Sequence, residues 1–342
     1  MDAAPIAISI AHGALARLDH LGVLAVTGAD APGFLHNQLT NDVQNLGLAE
    51  ARLVGYCSAK GRLLATGLLW RTGEGFWIAI PKEILGAIQK RLSLFVLRQR
   101  VKIADASQSV VLYGLTGSDH ALEGFIPALG AKAKQANQGV ADTPPTYLRI
   151  ELAGASALAL PPALGLARWL LAATPDLSQV MAEALSGAGE LDAAQWRWLD
   201  VRAGLPWITA TTQDRFVPQM LNFELLGGVN FQKGCYPGQE VVARSQYLGK
   251  IKRRTILAHS AVTSAPAPGG DVYHSSEPDV PLGTIVTAEA SMEGGVDLLV
   301  EIPQNLPPEG TLHLGRTDGP LMTALELPYA LSQNEVFVRP KL

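Results

Sequence analysis

Apolar and polar positions alternate in short units near the start of the chain. The run Leu21–Thr27 is rich in Val and Leu, and Asp30 and Pro32 after it suit the N-cap and the first turn of a helix. Apolar runs at Leu63–Trp70 and Phe76–Ile80 flank a polar turn, which is typical of a β-hairpin. The pattern therefore predicts a strand, a helix and a hairpin in this order.

Three later segments favour helices. Pro81–Arg98 has apolar residues at helical spacing, Pro162–Ala173 is mostly apolar, and Asp192–Ala203 has the best-marked ends. Asp192 suits the cap of this last helix, and Gly204 suits a left-handed stop after it. The alternation of short strands and helices predicts α+β or α/β layering rather than a bundle or a sandwich.

The pattern changes after about Gly249. Short β-type runs then follow one another without a long helix, at Leu282–Ala288, Val296–Ile302, Thr311–Leu314 and Leu321–Leu325. Such a series predicts a small antiparallel barrel. We therefore expect an α+β region at residues 1–248, with an inner subdomain at roughly 52–110, and a β-barrel domain at 249–342.

Composition and charge limit the class of protein. The chain has 342 residues, enough for more than one core, and its net charge of −4 gives no general attraction to nucleic acid or to an acidic membrane. Its two cysteines, Cys57 and Cys235, are too few for the four thiolates of an iron–sulfur cluster and form no CxxC pair. Without a basic leader, a long apolar span or metal-ligand spacing in the sequence, we expect a cytoplasmic monomer with no metal site.

The segment around Cys235 is the richest in candidate chemistry. Glycine and proline residues on both sides disfavour regular structure, so we expect tight turns that expose the thiol. Lys233 and Arg244 bring cations, which favour a thiolate. The alternative is a small buried cysteine beside a solvated lysine, and the residues by themselves leave both interpretations open.

Positive charge is concentrated in and after this segment. Between Lys233 and Arg254 there are six basic residues against the single acid Glu240, and Tyr236 and Tyr247 lie among them. A basic strip with aromatic residues suits folate with its glutamate tail or an RNA strand. The candidate RNA contacts are Lys250, Lys252, Arg253 and Arg254. A solvated strand end is the alternative, and it is favoured for this last run taken alone.

Several blocks of the sequence resemble the YgfZ family. The block from Lys233 to Glu240 reads KGCYPGQE and is the specific one. Individually modest blocks accompany it at 26–30, 34–43, 57–62, 202–206, 216–222, 227–232 and 242–244. The resemblance implies the fold of the glycine-cleavage T-protein, with two intertwined α+β subdomains around a folate cavity and a C-terminal antiparallel β-barrel.

The resemblance also implies a role. It points to an accessory protein that binds tetrahydrofolate or a one-carbon derivative and helps to assemble or repair iron–sulfur clusters in client proteins, including a tRNA-thiolating enzyme. Cys235 would be the functional thiol, with Lys233 beside it. The residues assigned by the resemblance to the ligand or to the surroundings of the thiol are Asn37, Gln38, Thr40, Asn41, Tyr236, Gln239, Glu240 and Arg244.

Two positions depart from the T-protein pattern. This chain has Ala65-Thr66 where the T-protein has an acidic pair, and it has Arg202 at a helix end where related folate proteins often have Glu. Loss of a positioned acid or base removes a contribution typically worth about 100-fold or more. The first departure argues against aminomethyl transfer, and the second argues against recognition of the pterin by a carboxylate at this helix end. A folate-dependent one-carbon (aminomethyl) transferase or demethylase, and a tRNA-binding module, stay open as alternatives.

Overall fold

The computed structural model describes residues 10–125, 147–152, 155–247, 251–277, 280–306 and 309–331. These residues form an α+β region followed by a closed β-barrel. The α+β region consists of β1 (Ala14–Arg17), β2 (Leu21–Thr27), α1 (Ala31–Gln38), β3 (Glu50–Cys57), β4 (Leu63–Arg71), β5 (Gly75–Pro81), α2 (Lys82–Ser93), β6 (Lys102–Asp105), β7 (Val111–Gly117), α3 (Asp119–Phe125), β8 (Tyr147–Leu152), β9 (Ala155–Ala163), β10 (Leu166–Ala173), α4 (Pro175–Ala184), β11 (Gly189–Leu191), α5 (Ala193–Arg202), a 3₁₀ turn (Pro218–Leu221) and α6 (Gln239–Tyr247). The barrel consists of β12 (Arg253–Ser260), β13 (Asp271–His274), β14 (Gly283–Ala290), β15 (Val296–Pro303), β16 (Leu312–Leu314) and β17 (Leu321–Leu325).

One long mixed sheet runs through the α+β region. Its strand order within the described residues is β11-β1-β7-β10-β9-β8-β3-β4-β5-β2-β6. Strand β8 joins the two halves of the sheet because it pairs with both β9 and β3. Strand β2 pairs with β5 and β6, so the half that contains β3 and β4 also includes a strand from before residue 52.

One of the three helices predicted after residue 80 is wrong. Leu166–Ala173 form β10, which pairs with β7 and β9 and is buried along nearly its whole length. A short apolar run fits a doubly buried strand as well as it fits a buried helix, and periodicity alone does not separate them. Pairing with partners far away in the sequence decides for the strand.

The other two helices form where the pattern predicted them, although their ends differ. α5 is capped by Asp192 as predicted, because the Asp192 side chain accepts a hydrogen bond from the Gln195 backbone N, and Gly204 follows with φ +64°. The predicted cap of α1 is not made. Asp30 instead accepts a hydrogen bond from the Arg100 backbone N at 2.7 Å, so a tertiary contact uses the carboxylate that local sequence assigned to the helix.

The barrel strands close in the order β12-β15-β14-β13-β16-β17. Helix α5 holds the barrel against the α+β region, because the Trp198 indole N–H donates to Asp297 Oδ2 at 2.6 Å and Arg202 reaches the same atom at 3.3 Å. Arg202 thus serves the contact between the two parts. Of the helices within the described ranges, none has the length and apolar content that a membrane-spanning segment needs.

A long loop between α5 and α6 returns to the C-terminal end of α1. The Thr40 hydroxyl donates to the Gly228 carbonyl at 2.6 Å, and the Asn230 backbone N donates to the Thr40 carbonyl at 2.9 Å. These bonds fix the chain immediately before residues 231–238, which we call the Cys235 loop. The loop is therefore placed beside the last turn of α1.

Candidate functional site

Cys235 lies in an irregular stretch of bends and turns that ends where α6 begins. The cysteine is exposed, as the glycine and proline content of the segment predicted. Its neighbour Tyr236 is buried, with 7% of its surface exposed. The loop is therefore anchored in the core at the residue next to the cysteine and presents the cysteine itself to solvent.

Lys233 fastens the Cys235 loop to the end of α1. Its ammonium group donates to the carbonyl of Leu39 at 2.7 Å and to the carbonyl of His36, and it lies 4.9 Å from the centre of the Tyr236 ring. The last carbonyls of a helix have no partner within the helix and carry partial negative charge, so a cation suits this position. Lys233 therefore holds the geometry of the loop in addition to bringing charge near the thiol.

The charge state of Lys233 responds to this placement. Burial lowers the pKa of Lys233 to about 8, and the charges of Asp42 and Cys235 partly oppose the change. A lysine with such a pKa is neutral in a larger fraction of molecules near neutral pH than a surface lysine is. The helix carbonyls nevertheless occupy two of its donor positions.

Two sequence blocks meet where α6 begins. Gly238 has φ +80°, and a Cβ atom there would lie 2.5 Å from Gly61 Cα. Gly61 has φ +71°, and its own Cβ would lie 2.8 Å from Val241 Cβ. Each position thus requires glycine for both its backbone angle and its close contact. The turn at 58–61 and the Cys235 loop form one packed unit.

Two of the residues assigned to the ligand, Thr40 and Asn41, are buried and bonded to backbone. The Thr40 hydroxyl bridges the Gly228 carbonyl and the Gly55 backbone N, at 2.6 and 2.7 Å. The Asn41 amide donates to the carbonyls of Leu53 and Gly227, at 2.9 and 2.7 Å. Both side chains thus join β3 to the long loop, and their hydrogen-bonding groups are already engaged.

The remaining assigned residues are more accessible. Asn37 is exposed, and Gln38 has a buried Oε1 without a hydrogen-bond partner among the described residues. The Gln239 amide lies 3.4 and 3.5 Å from two carbonyls of the Cys235 loop. Glu240 and Arg244 form an exposed ion pair along α6 at 2.6 Å. Of this group, Gln38 carries the clearest unsatisfied acceptor.

Sequence reasoning did not select His36 and Asp42, although both lie within the block at 34–43. His36 is buried, and its Nδ1 lies 3.0 Å from Asp42 Oδ1. The pair forms because the chain turns sharply after α1, which brings together residues six positions apart. A His in the last helical turn with an Asp shortly after it was the available signal.

The predicted RNA contact at Arg254 does not fit the structure. Its guanidinium is buried and forms an ion pair with Glu224, and it also lies 3.3 Å from Asn222 Oδ1. A buried guanidinium with these partners is not available to phosphates on the surface. The basic residues at 252–254 are consecutive in the sequence. Side chains along a strand point alternately to its two faces, however, and the Arg254 side chain lies on the buried face of β12.

The other members of that group differ in exposure. Arg253 is half-buried, donates to Glu301 Oε2 at 2.8 Å and also donates to the Leu282 carbonyl at 2.7 Å. Lys252 is exposed, and Lys250 lies outside the described residues. The strip is therefore less available for RNA than its sequence indicated.

The positions where the T-protein has its acidic pair are packed. Ala65 is buried, and the buried Thr66 hydroxyl donates to the Pro206 carbonyl at 3.1 Å and accepts from the Ile208 backbone N at 3.0 Å. A cavity lined partly by Ala65 and Thr66 measures only about 10 Å³, enough for one water at most. No pterin fits in this cavity.

A larger cleft of about 340 Å³ lies between the α+β region and the barrel. Its volume falls within the range of small-molecule sites, about 300–1,000 Å³. It is lined by Arg62, Asp214, Arg215, Phe216, Met220, Arg253, Thr284 and Glu301, so Cys235 is not part of its wall. Among the described residues, no three His, Cys, Asp or Glu side chains converge as metal ligands do.

The cleft is connected to the Cys235 loop through the turn at 58–62. Arg62 lines the cleft, and Ser58 donates a hydrogen bond of 2.6 Å to Asp214, which also lines it. On its other side the turn packs against Gly238. A ligand in the cleft and the loop that carries the thiol would therefore contact the same short turn.

The fold resembles that of a solved structure. The chain superposes on the crystal structure of glycine cleavage system aminomethyltransferase T from Bartonella henselae with a TM-score of 0.68 and 17% identity, covering 94% of this chain and 87% of that chain. At this identity the likeness shows the fold alone. It confirms the predicted α+β T-protein-like fold with a C-terminal antiparallel barrel.

Curated relatives match over nearly the whole chain. The tRNA-modifying protein YgfZ of Edwardsiella ictaluri is 30% identical over 330 residues, covering 94% of each chain. The protein of the same name from Shigella sonnei is 30% identical over 324 residues, covering 93% of this chain and 94% of that protein. No family model matches the sequence. The extent of these matches confirms what residues 233–240 predicted: the chain belongs to the YgfZ family.

Proposed function

We propose that this protein is a tetrahydrofolate-binding accessory factor that supports the assembly or repair of iron–sulfur clusters in selected enzymes, including tRNA-modifying ones, through Cys235. The observation that carries the proposal is an exposed cysteine on a firmly anchored loop. Lys233, Tyr236 and Gly238 supply the anchors. Relatives named for tRNA modification and a structural neighbour named for aminomethyl transfer support the same direction.

An anchored loop suits a thiol that must meet a partner. A thiol can react with, or bind, a sulfur species, a cluster or another thiol only if it is accessible. Functional groups also act best when the backbone that carries them is held in place beforehand. The Cys235 loop meets both conditions, because the cysteine is exposed while residues on both sides of it are fixed.

The cleft offers a place for folate. Phe216 and Met220 supply apolar surface for a flat ring, and Arg62 and Arg215 have no carboxylate partner within the described residues. Guanidinium groups bind carboxylates such as those of a glutamate tail. When bound, a reduced folate would supply a carrier of one-carbon units. The residues of the cleft would bind and orient it.

Gln38 offers a second test of the folate proposal. Its buried Oε1 has no partner among the described residues and would accept a hydrogen bond from a pterin N–H.

Titration calorimetry with tetrahydrofolate should distinguish the two locations, the cleft and the surroundings of Gln38. We expect Arg62→Gln and Arg215→Gln to weaken binding about tenfold or more, since a bond to a charged group contributes about 1.5–3 kcal/mol.

The matched control for these variants is Lys252→Gln, because Lys252 is exposed. Loss of binding in Gln38→Leu with unchanged binding in both arginine variants would place folate beside α1 rather than in the cleft. Unchanged binding in all three variants would contradict both locations. Failure of the wild-type protein to bind any reduced folate would remove folate from the proposal.

The role of Cys235 is tested in a strain that lacks this protein. Cys235→Ser should fold normally, because the residue is exposed, yet should fail to restore the activity of a tRNA-thiolating iron–sulfur enzyme. Cys57→Ala is the control, since it removes the other thiol of the chain. Full rescue by Cys235→Ser would falsify the thiol mechanism.

A folate-dependent transferase or demethylase is the competing function. The Thr66 hydroxyl is engaged by two backbone groups and Ala65 has no polar group, so neither residue replaces the acidic pair. We therefore expect the purified protein to leave one-carbon tetrahydrofolates unchanged over many hours. Measurable conversion, lost on mutation of a cleft residue, would favour the enzyme.

A further inference from the structure

The imidazole of His36 is held in one orientation. Its Nδ1 lies 3.0 Å from Asp42 Oδ1, and Asp42 is itself fixed by the Asn45 side-chain amide at 2.7 Å and the Asn45 backbone N at 3.2 Å. Burial opposes ionisation of Asp42, but the bonds from Asn45 and the charges of Arg52 and His36 leave its pKa lowered. A carboxylate at Nδ1 keeps the proton on that nitrogen, so Nε2 carries the free lone pair.

The free side of the ring faces the Cys235 loop. A Cβ atom on Gly234 would lie 3.3 Å from His36 Nε2 and 3.8 Å from Cδ2. Gly234 immediately precedes Cys235, and the absence of a side chain at 234 lets the ring approach the backbone. The acceptor nitrogen is thus beside the segment that carries the thiol.

The charges around His36 favour a neutral ring. Burial lowers the pKa of His36, the nearby cation of Lys233 lowers it further, and Asp42 opposes both. Lys233 approaches His36 from the Cys235 loop, and Asp42 approaches it from the turn after α1. Arg52 of β3 lies behind Asp42, with Arg52 Nη1 3.9 Å from Asp42 Oδ2. Near neutral pH, His36 is therefore able to accept a proton.

We propose that His36 is the proton acceptor of the Cys235 thiol and that Asp42 is the positioning residue behind it. The S–H bond breaks, its electron pair stays on Sγ, and the proton forms a bond to Nε2. The resulting imidazolium lies against the Asp42 carboxylate, and Lys233 adds positive charge beside the thiolate. In these roles the thiol, His36 and Asp42 would act as the nucleophile, base and orienting group of an activated cysteine. The inference rests on the proposed role of Cys235 and deepens it.

The test is the rate of Cys235 alkylation by iodoacetamide between pH 6 and pH 10, followed by mass spectrometry. His36→Asn is the central variant, because an Asn amide can still donate to Asp42 from the position of Nδ1 while Nε2 is lost. We expect its rate at pH 7 to fall about tenfold or more. The ratio to wild type should approach one at pH 10, where hydroxide removes the thiol proton without help.

Two further variants keep the result interpretable. Asp42→Asn should reduce the rate at pH 7 by a smaller factor, and His120→Gln, at an exposed histidine, should change nothing. A structural disturbance would alter the rate at every pH, whereas loss of the base alters it only where the thiol needs the base. Superposable pH profiles for wild type, His36→Asn and Asp42→Asn would overturn the inference.

This outcome is separable from the fate of the proposed function. If Cys235→Ser abolishes rescue while alkylation is independent of His36, the thiol has its role without this base. If alkylation depends on His36 while Cys235→Ser rescues fully, the base exists but the thiol is not needed for rescue.

Discussion

The two cysteines of this protein lie in neighbouring segments and have opposite surroundings. Cys57 ends β3 and is 1% exposed, while Cys235 is exposed on its loop. The segments touch directly, because Gly238 packs against the turn that follows Cys57. Burial raises the pKa of Cys57 to about 12. Packing therefore leaves one thiol inert and the other available within a small part of the molecule.

The largest expected effect is a difference in reactivity between these thiols. With a pKa of about 12, about one Cys57 thiol in 10⁴ is ionised at pH 8. The free energy needed to ionise it at that pH is roughly 5 kcal/mol. Iodoacetamide at pH 8 should therefore modify Cys235 completely before about 1% of Cys57 reacts, as measured by peptide mass spectrometry. Both cysteines should react once the protein is unfolded in urea. Equal rates in the native protein would show that the contrast in packing is wrong.

A second effect concerns the contact between the two segments. Gly238→Ala should lower the free energy of unfolding by about 2–4 kcal/mol, because alanine is strained at φ +80° and its Cβ would overlap the backbone of the turn at 58–61. Urea unfolding measures the change. Gly73→Ala is the control, since a Cβ there meets nothing within 4 Å, and it should shift the free energy by less than about 0.5 kcal/mol. Similar stability in the two variants would contradict the packed unit.

The smallest effect concerns the lysine that anchors the Cys235 loop. Lys233→Met should lower the free energy of unfolding by about 1–2 kcal/mol at pH 7, since two helix carbonyls lose their donor while a partly buried charge is removed. Lys252→Met, at an exposed position, should have no measurable effect. A stabilised Lys233→Met protein would mean that removing the charge outweighs losing the bonds.

The pH dependence of this variant gives an independent check. The pKa of Lys233 is about 8 in the folded protein and about 10.5 when unfolded, so the unfolded chain binds more protons between these values. The contribution of Lys233 to stability therefore rises as pH increases from 8 to 10.5. Lys233→Met should lack this rise in unfolding free energy.

Local sequence located much of the fold and the main candidate residue. Asp192 and Gly204 marked the ends of α5 because a cap and a stop depend on the helix itself. Glycine and proline around Cys235 indicated an exposed loop for the same reason. The pattern failed at Leu166–Ala173, where strand pairing with distant residues overrode an apolar run.

The candidate site was predictable only in part. Lys233 was recognised as a charge near Cys235, but its bonds to the end of α1 join residues almost two hundred positions apart. Arg254 was counted as a surface cation, and only the direction of a strand side chain shows that it is buried. His36 was overlooked because its approach to Gly234 exists only after the long loop has returned to α1.

Local chemistry was thus readable from the order of residues: the helix ends, the turns, the family motif and the thiol within it. The folded chain alone decided which groups meet. It made Cys57 inert, turned Thr40 and Asn41 into links between β3 and the long loop, and brought His36 to the thiol segment. The reason is physical: capping and turn preferences act over a few residues, whereas burial, pKa and partner choice depend on atoms that only tertiary packing brings together.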